Sequence, residues 1–115
     1  MFAGKEVRVL LKGQAQESFL TLKKRDDKEA QTILHSIERI INILKTNPQY
    51  GSPIAKNLIP WHFKEQGITN LYHVELSHFW RMLYTLEGNR VEIFAFILTI
   101  MDHPTYDKLM GYRKR

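Results

Sequence analysis

LYHVELSHFWRMLYTL, residues 71–86, is the stretch that decides the fold of this chain. Apolar and polar side chains alternate on both sides of Ser77-His78-Phe79, which is typical of two β-strands joined by a turn. If these three residues form the turn, Glu75 lies opposite Arg81 in the neighbouring strand. The pattern therefore predicts an antiparallel pair with a defined register.

The two faces of this strand pair differ in chemistry. One face is uniformly apolar and consists of Tyr72, Val74, Leu76, Trp80, Met82, Tyr84 and Leu86. The other face carries His73, Glu75 and Arg81. A slip of one residue would mix the two sets, so the pattern itself supports this register. We expect the apolar face to receive helices and the opposite face to be a polar, partly basic surface.

Helices are predicted between the first strand and this pair. Val7 to Leu11 is β-branched and apolar enough for a short strand, and Gln14 to Arg25 has helical spacing. Asp26 and Asp27 are residue types that begin a helix. The second helix has one continuous apolar stripe and ends at Asn47-Pro48. That stripe is formed by Ala30, Ile33, Leu34, Ile37, Ile41 and Leu44.

The rest of the chain predicts a connection, one more strand and a final helix. Residues 48–67 are rich in proline, and a short helical turn is expected near Ile54 to Leu58. Arg90 to Ile100 is apolar on both faces, which predicts a central strand. A short helix is expected from Pro104 to about Met110, with Gly111 as its cap. We therefore predict an α+β fold: an N-terminal strand and a helix hairpin packed on a mainly antiparallel, twisted sheet of about four strands.

Composition and charge restrict the class of protein. The chain has 115 residues, 43% of them hydrophobic and 25% charged, which fits one soluble domain spanning residues 1–115. No apolar run is long enough to span a membrane, and the N-terminus lacks the features of a signal peptide. The absence of cysteine excludes disulfides and thiolate chemistry. We expect a cytoplasmic protein with no membrane partner, and its net charge of +5 favours a polyanionic or acidic partner.

Several short motifs resemble one known group of proteins. Leu71 to Leu76 has the form Leu-Tyr-x-apolar-x-apolar, and Arg81 to Tyr84 follows it as Arg-apolar-apolar-Tyr. The last strand ends in Asp102-His103-Pro104-Thr105-Tyr106, and Lys56-x-Leu58 precedes the sheet. These residues and the order of elements resemble the RelE/ParE superfamily of toxins, and Trp80 to Thr85 looks especially like its archaeal branch. The resemblance in residues lies mainly within 67–115, and it implies a RelE-like microbial RNase fold.

This resemblance implies two different activities. RelE-like members cut mRNA in the ribosomal A site, whereas ParE-like members poison DNA gyrase without nuclease residues. Both kinds are neutralised by a cognate antitoxin in a heteromeric complex. The histidine–tyrosine end favours the first activity, so we expect a ribosome-dependent endoribonuclease whose partners are an antitoxin, the ribosome and mRNA. A ParE-like gyrase inhibitor and an inactive toxin-fold partner of an antitoxin are the alternatives.

Arg81, His103 and Tyr106 are the catalytic candidates. Arg81 lies between apolar neighbours and its guanidinium could grip a phosphate through two oxygens, or it could simply pair with Glu75. His103 could serve as general acid or base, or cap the helix that follows. Tyr106 could donate a hydrogen bond to the phosphate or stack on a base, or it could pack in the core. Glu75 is a weaker candidate for the base.

The remaining candidates are residues predicted to bind phosphate or RNA. They are Lys56, Lys64, His73, Tyr112, Arg113, Lys114 and Arg115. Each lysine could instead be an ordinary solvated surface residue, and the basic residues 113–115 could simply be a charged chain end. No histidine–cysteine or histidine–glutamate pair has convincing ligand spacing, so we expect no metal and no cofactor.

Overall fold

A computed structural model describes residues 1–111 and has an α+β architecture built on one sheet. The strands are β1 (Glu6–Leu11), β2 (Ser52–Pro53), β3 (Tyr72–Glu75), β4 (Arg81–Gly88) and β5 (Glu92–Met101). The helices are α1 (Gly13–Lys24), α2 (Lys28–Thr46), α3 (Trp61–Lys64) and α4 (His103–Met110). Short 3₁₀ turns occupy Lys56–Leu58 and Ser77–Phe79.

The sheet has five strands in the order β1-β5-β4-β3-β2, and it is mixed. β1 runs parallel to β5, and the other neighbouring pairs are antiparallel. The expected count of about four strands was low by one, because β2 comes from the connection and its two residues are too few to show alternation. β5 pairs on both sides, as its apolar sequence predicted, although the middle strand of the five is β4.

The predicted register of the β3–β4 hairpin is confirmed. Glu75 pairs with Arg81 and Tyr72 with Tyr84. The turn is tight, because His78 and Phe79 both take left-handed backbone conformations with φ of 58° and 62°. Such φ values are uncommon outside glycine and asparagine, so this turn depends on the pairing of the strands around it.

The two long helices cover one face of the sheet and form the main core. Asp27 caps α2 by accepting a hydrogen bond from the Ala30 N–H, and Arg25 beside it lowers the pKa of this carboxyl to about 2. The main core joins the apolar stripe of α2 to Val74, Leu76, Met82 and Tyr84. The outer side of α2 is polar, and within residues 1–111 no helix combines the length and apolar character that crossing a bilayer requires.

The opposite face of the sheet carries a second core, which corrects the expectation of an open polar surface. Its buried members are Ile54, Ile59, Phe63, Leu71, Leu83, Met101 and Tyr106. They come from the connection, from α3 and α4, and from the second face of the strands. Alternation within the hairpin predicted His73, Glu75 and Arg81 on this face correctly, but it carried no information about the segments that pack over them.

Candidate functional site

A group of polar side chains lies beside the second core, where α4 packs near β3 and β4. We call His73, Glu75, Arg81 and Tyr106 the Arg81 cluster. The first three come from the predicted face of the hairpin, and Tyr106 comes from the second turn of α4. The structure therefore brings together two of the three catalytic candidates and one phosphate-binding candidate.

Arg81 is the charged centre of the cluster. Only 15% of its side chain is exposed, whereas Glu75 is largely open to solvent. Arg81 Nη1 lies 2.9 Å from Glu75 Oε2, but this Nη1 is buried and makes no aligned hydrogen bond within residues 1–111. The Arg81 guanidinium carbon also lies 5.5 Å from the centre of the Tyr106 ring, in a cation–π arrangement. A guanidinium so far removed from water retains donor capacity that an anion could use.

The surroundings of His73 favour its neutral form. Burial lowers the pKa of its imidazole, the nearby charge of Arg81 lowers it further, and Glu75 opposes the two effects. His73 Nδ1 is buried and has no hydrogen-bond partner within the described chain. The sequence predicted that His73 binds phosphate. A neutral imidazole beside a guanidinium is better suited to accept a proton than to neutralise a phosphate.

Tyr106 is a packing residue as well as a cluster residue. It is 4% exposed and belongs to the second core, and its ring lies 6.2 Å from that of His73 at an angle of 43°. Such burial leaves no open ring face on which a base could stack. The ring instead holds His73 and Arg81 against α4, which corresponds to the structural alternative recognised in the sequence.

His103 begins α4 next to the cluster. Arg81 pairs with Met101 at the end of β5, and His103 follows two residues later. His103 Nε2 lies 3.1 Å from Asp107 Oδ2, one helical turn along, and the imidazole is partly exposed. His103 Nδ1 is buried without a partner within residues 1–111. The Asp107 carboxylate therefore fixes the orientation of the His103 ring, and Nδ1 has no hydrogen-bond partner within residues 1–111.

The lysine candidates lie elsewhere. Lys56 and Lys64 are exposed and line the same shallow depression, together with Ile59 and Gly67, and that depression includes no member of the Arg81 cluster. The structure thus brings the two lysines together but not to Arg81. The other predicted RNA-binding residues lie outside the described residues; they are Tyr112, Arg113, Lys114 and Arg115.

A cavity of about 380 Å³ at the junction of β1 and α1 was not predicted from the sequence. We call it the junction pocket. Its lining comes from the start of α1, from α3 with the segment after it, and from β4 and β5. Lys12-Gly13 between a strand and a helix was a usable signal, since glycine at such a junction often precedes an anion site. The walls of the pocket come from distant parts of the chain and had no such signal.

Within the described chain, no group of three or more His, Asp or Glu side chains is placed to hold a metal ion. Comparison of the chain with family models, with curated proteins and with solved structures finds no match.

Proposed function

We propose that this protein is the toxin of a toxin–antitoxin pair and that it cleaves mRNA on the ribosome in the cytoplasm. The observation that carries the proposal is the Arg81 cluster: a largely buried guanidinium beside a neutral imidazole on the sheet face away from α1 and α2. The order of elements and the motifs around residues 71–86 and 102–106 support a RelE-like fold. The net charge of +5 suits a ribosomal and RNA partner.

The proposed reaction uses the RNA's own 2′-hydroxyl as nucleophile. The hydroxyl loses its proton to a base and attacks the adjacent phosphorus, which forms a phosphorane with extra negative charge. The bond to the 5′-oxygen then breaks as an acid supplies a proton to that oxygen. The products are a 2′,3′-cyclic phosphate and a free 5′-hydroxyl, so the side chains must supply a base, positive charge and an acid.

The cluster contains groups for each of these tasks. Arg81 supplies a permanent positive charge and paired N–H donors for the phosphorane oxygens. His73, whose pKa is lowered, is the base that accepts the 2′-hydroxyl proton. His103, held by Asp107, supplies the proton to the leaving oxygen. Glu75 orients Arg81 in the free protein and gives way to the phosphate when RNA binds.

The test is a purified translation reaction that is programmed with one defined mRNA. The protein should cut this mRNA only when ribosomes are present, and the upstream fragments should end in a 2′,3′-cyclic phosphate. A gyrase supercoiling assay is run in parallel. Intact mRNA together with inhibited supercoiling would contradict the nuclease proposal and identify a gyrase poison of ParE type.

A second candidate function is a toxin-fold protein that binds an antitoxin and has no catalytic activity. The Arg81–Glu75 ion pair and the burial of Tyr106 favour it, because a cluster with internal partners can be a purely structural device. Induced expression separates the two candidates. Arrested growth supports the toxin, and unimpaired growth by folded protein supports the inactive partner.

A further inference from the structure

The turn at the tip of the β3–β4 hairpin has a strained backbone. The Trp80 N–H donates a hydrogen bond to Ser77 O at 3.2 Å, and the Leu76 N–H donates one to Trp80 O at 2.7 Å. His78 and Phe79, inside the turn, have φ of 58° and 62°. Two successive residues with positive φ define a type I′ turn, where asparagine and glycine are the usual pair. A histidine and a phenylalanine are strained there, because each Cβ crowds the following carbonyl oxygen.

Contacts with α2 hold this turn in place. The Ser77 N–H donates a hydrogen bond to Ser36 Oγ on α2 at 3.2 Å. His78 Nδ1 lies 3.8 Å from Glu29 Oε2, in the first turn of the same helix. Strained backbone persists only where the surrounding structure over-determines it, and strands on one side with a helix on the other meet that condition. The turn is therefore a fixed support for the side chains that it carries.

Phe79 is the side chain that this turn presents to solvent. It is 73% exposed although it is apolar, and it belongs to neither of the two cores of residues 1–111. Burial of its ring therefore does not explain why a phenylalanine occupies a position that favours glycine. Strained backbone is concentrated at binding and catalytic sites, where it holds a group ready for a ligand. The exposed ring is the group that the strain holds here.

The ring projects from the end of the hairpin that carries the Arg81 cluster. Glu75 and Arg81 are the pair of β3 and β4 nearest to the turn, and Phe79 precedes Arg81 by two residues. Their Cα atoms are therefore within about 7 Å of each other. This distance is comparable to the size of one nucleotide. A phosphate bound by Arg81 would bring a neighbouring base to the Phe79 ring.

Single-stranded RNA is the ligand that fits both groups. Its unpaired bases stack on exposed aromatic side chains, and its phosphates pair with guanidinium groups. A protein partner could also cover an exposed ring. The neighbouring Arg81 and the net charge of +5 favour the polyanion.

We propose that Phe79 is a stacking platform for a base of single-stranded RNA, next to the phosphate that Arg81 holds. The choice of RNA rests on the proposed function. Because the turn fixes the ring in advance, the RNA meets a platform that is already in position. Stacking accepts any base, so Phe79 positions the RNA and does not select its sequence.

The binding experiment uses the full chain without ribosomes and a short, dye-labelled RNA strand whose 2′-hydroxyls are methylated, so that it cannot be cut. Fluorescence anisotropy gives the affinity. Phe79→Gly should weaken binding by roughly 5- to 100-fold, since it removes one stacked base contact. Phe79→Trp should bind at least as tightly as the wild type. Trp61→Ala on α3 is the matched control, because Trp61 is 72% exposed, and it should bind like the wild type.

Thermal unfolding of the same variants tests the strain. Glycine adopts a positive φ without strain, whereas alanine keeps the Cβ that causes it. Phe79→Gly should therefore unfold at a higher temperature than Phe79→Ala, and at no lower temperature than the wild type. A ring that merely packs would give the reverse order, because glycine is the more flexible residue in the unfolded chain.

Several results would overturn the inference. They are no RNA binding by the wild type at millimolar concentration, equal affinity of the wild type and Phe79→Gly, and lower stability of Phe79→Gly than of Phe79→Ala. Phe79→Gly that keeps its RNA affinity but loses a copurifying protein would assign the ring to a protein interface instead. The proposed function fails separately: RNA binding through Phe79 with mRNA left intact contradicts the nuclease alone, and mRNA cleavage unchanged in Phe79→Gly contradicts only this inference.

Discussion

Arg81 and His73 share a small, partly dry space on the second face of the sheet. The Arg81 guanidinium supplies positive charge and paired N–H donors. An imidazole titrates near neutrality, so desolvation and the charge of Arg81 lower the pKa of His73 and keep it neutral. The pair therefore offers fixed positive charge beside a proton acceptor.

His73 should make the stability of the fold depend on pH. Its pKa is lowered from 6.5 in the folded state, so below about pH 6.5 the unfolded chain takes up a proton that the folded chain resists. Stability from this group is complete above that pH and is lost as the pH falls through the folded pKa. Urea unfolding at pH 7.5 and pH 5 should show a smaller loss for His73→Gln than for the wild type. An equal loss in the two proteins would contradict the lowered pKa.

Residue-scale features were predictable where they depend on local alternation. Glu75 and Arg81 lie opposite each other because side chains in paired strands alternate, and the sequence is enough to establish this. The sequence left both a catalytic and a core role open for Tyr106, and it gave no sign that the Thr99 hydroxyl lacks a partner within residues 1–111, because both features depend on how α4 and α3 pack against the sheet. Those contacts join residues far apart in the chain.

Individual elements are held together by a few buried side chains, and Tyr84 is the clearest case. Its hydroxyl donates a hydrogen bond to Pro48 O at 2.7 Å and accepts one from Gly51 N at 2.9 Å. It thereby fastens the connection after α2 to the middle strand of the sheet. Burial raises the pKa of this phenol to about 12, so it stays a donor at physiological pH.

Tyr84→Phe should destabilise the protein by about 1–3 kcal/mol, because it leaves the Pro48 carbonyl and the Gly51 N–H without a buried partner. The ring itself is retained, so packing against Tyr72 stays the same. Chemical denaturation provides the measurement, and Tyr50→Phe on the exposed surface is the control. Equal stability of both variants would show that the two hydrogen bonds do not hold the connection.

Gly51→Ala tests the same contact from the other side. A Cβ at residue 51 would lie 2.9 Å from the Tyr84 hydroxyl oxygen and 3.0 Å from the His73 carbonyl oxygen. We expect a loss of about 1–3 kcal/mol from overpacking. Gly88→Ala is the matched control, since its nearest atom would be the Glu92 carbonyl oxygen at 3.4 Å. Equal thermal stability of Gly51→Ala and Gly88→Ala would contradict the close packing of residue 51 against Tyr84 and His73.

Elements were predictable in proportion to their length. The long helices and strands show several turns or several alternations, and Asp27, Pro104 and Gly111 mark helix ends by local chemistry. β2 has two residues and α3 has four, which is less than one full period of a recognisable pattern. They form because they pack over the second core and exclude its apolar side chains from water.

The whole molecule is one sheet between two apolar cores. α1 and α2 close the main core, while the connection, α3 and α4 close the second core. β4 belongs to both, because Met82 and Tyr84 face the main core and Leu83 faces the second. The two halves should therefore unfold together.

Ile37→Ala in the main core and Leu83→Ala in the second core should each cost about 2–5 kcal/mol. Both side chains are fully buried. Because the cores share one sheet, each variant should unfold in a single transition that circular dichroism and tryptophan fluorescence report at the same denaturant concentration. Separate transitions by the two probes would mean that the second core is an independent unit.

The central claim is that Arg81 binds the reacting phosphate, and one measurement tests it most directly. The rate of mRNA cleavage on ribosomes is compared for the wild type, Arg81→Ala, and Arg39→Ala on the exposed side of α2. Arg81→Lys is included because it keeps the charge and loses the paired donors, and circular dichroism verifies the fold of each variant. We expect Arg81→Ala to cut about 100- to 1,000-fold more slowly, Arg81→Lys to be impaired, and Arg39→Ala to match the wild type. Folded Arg81→Ala that cuts at the wild-type rate would contradict the account.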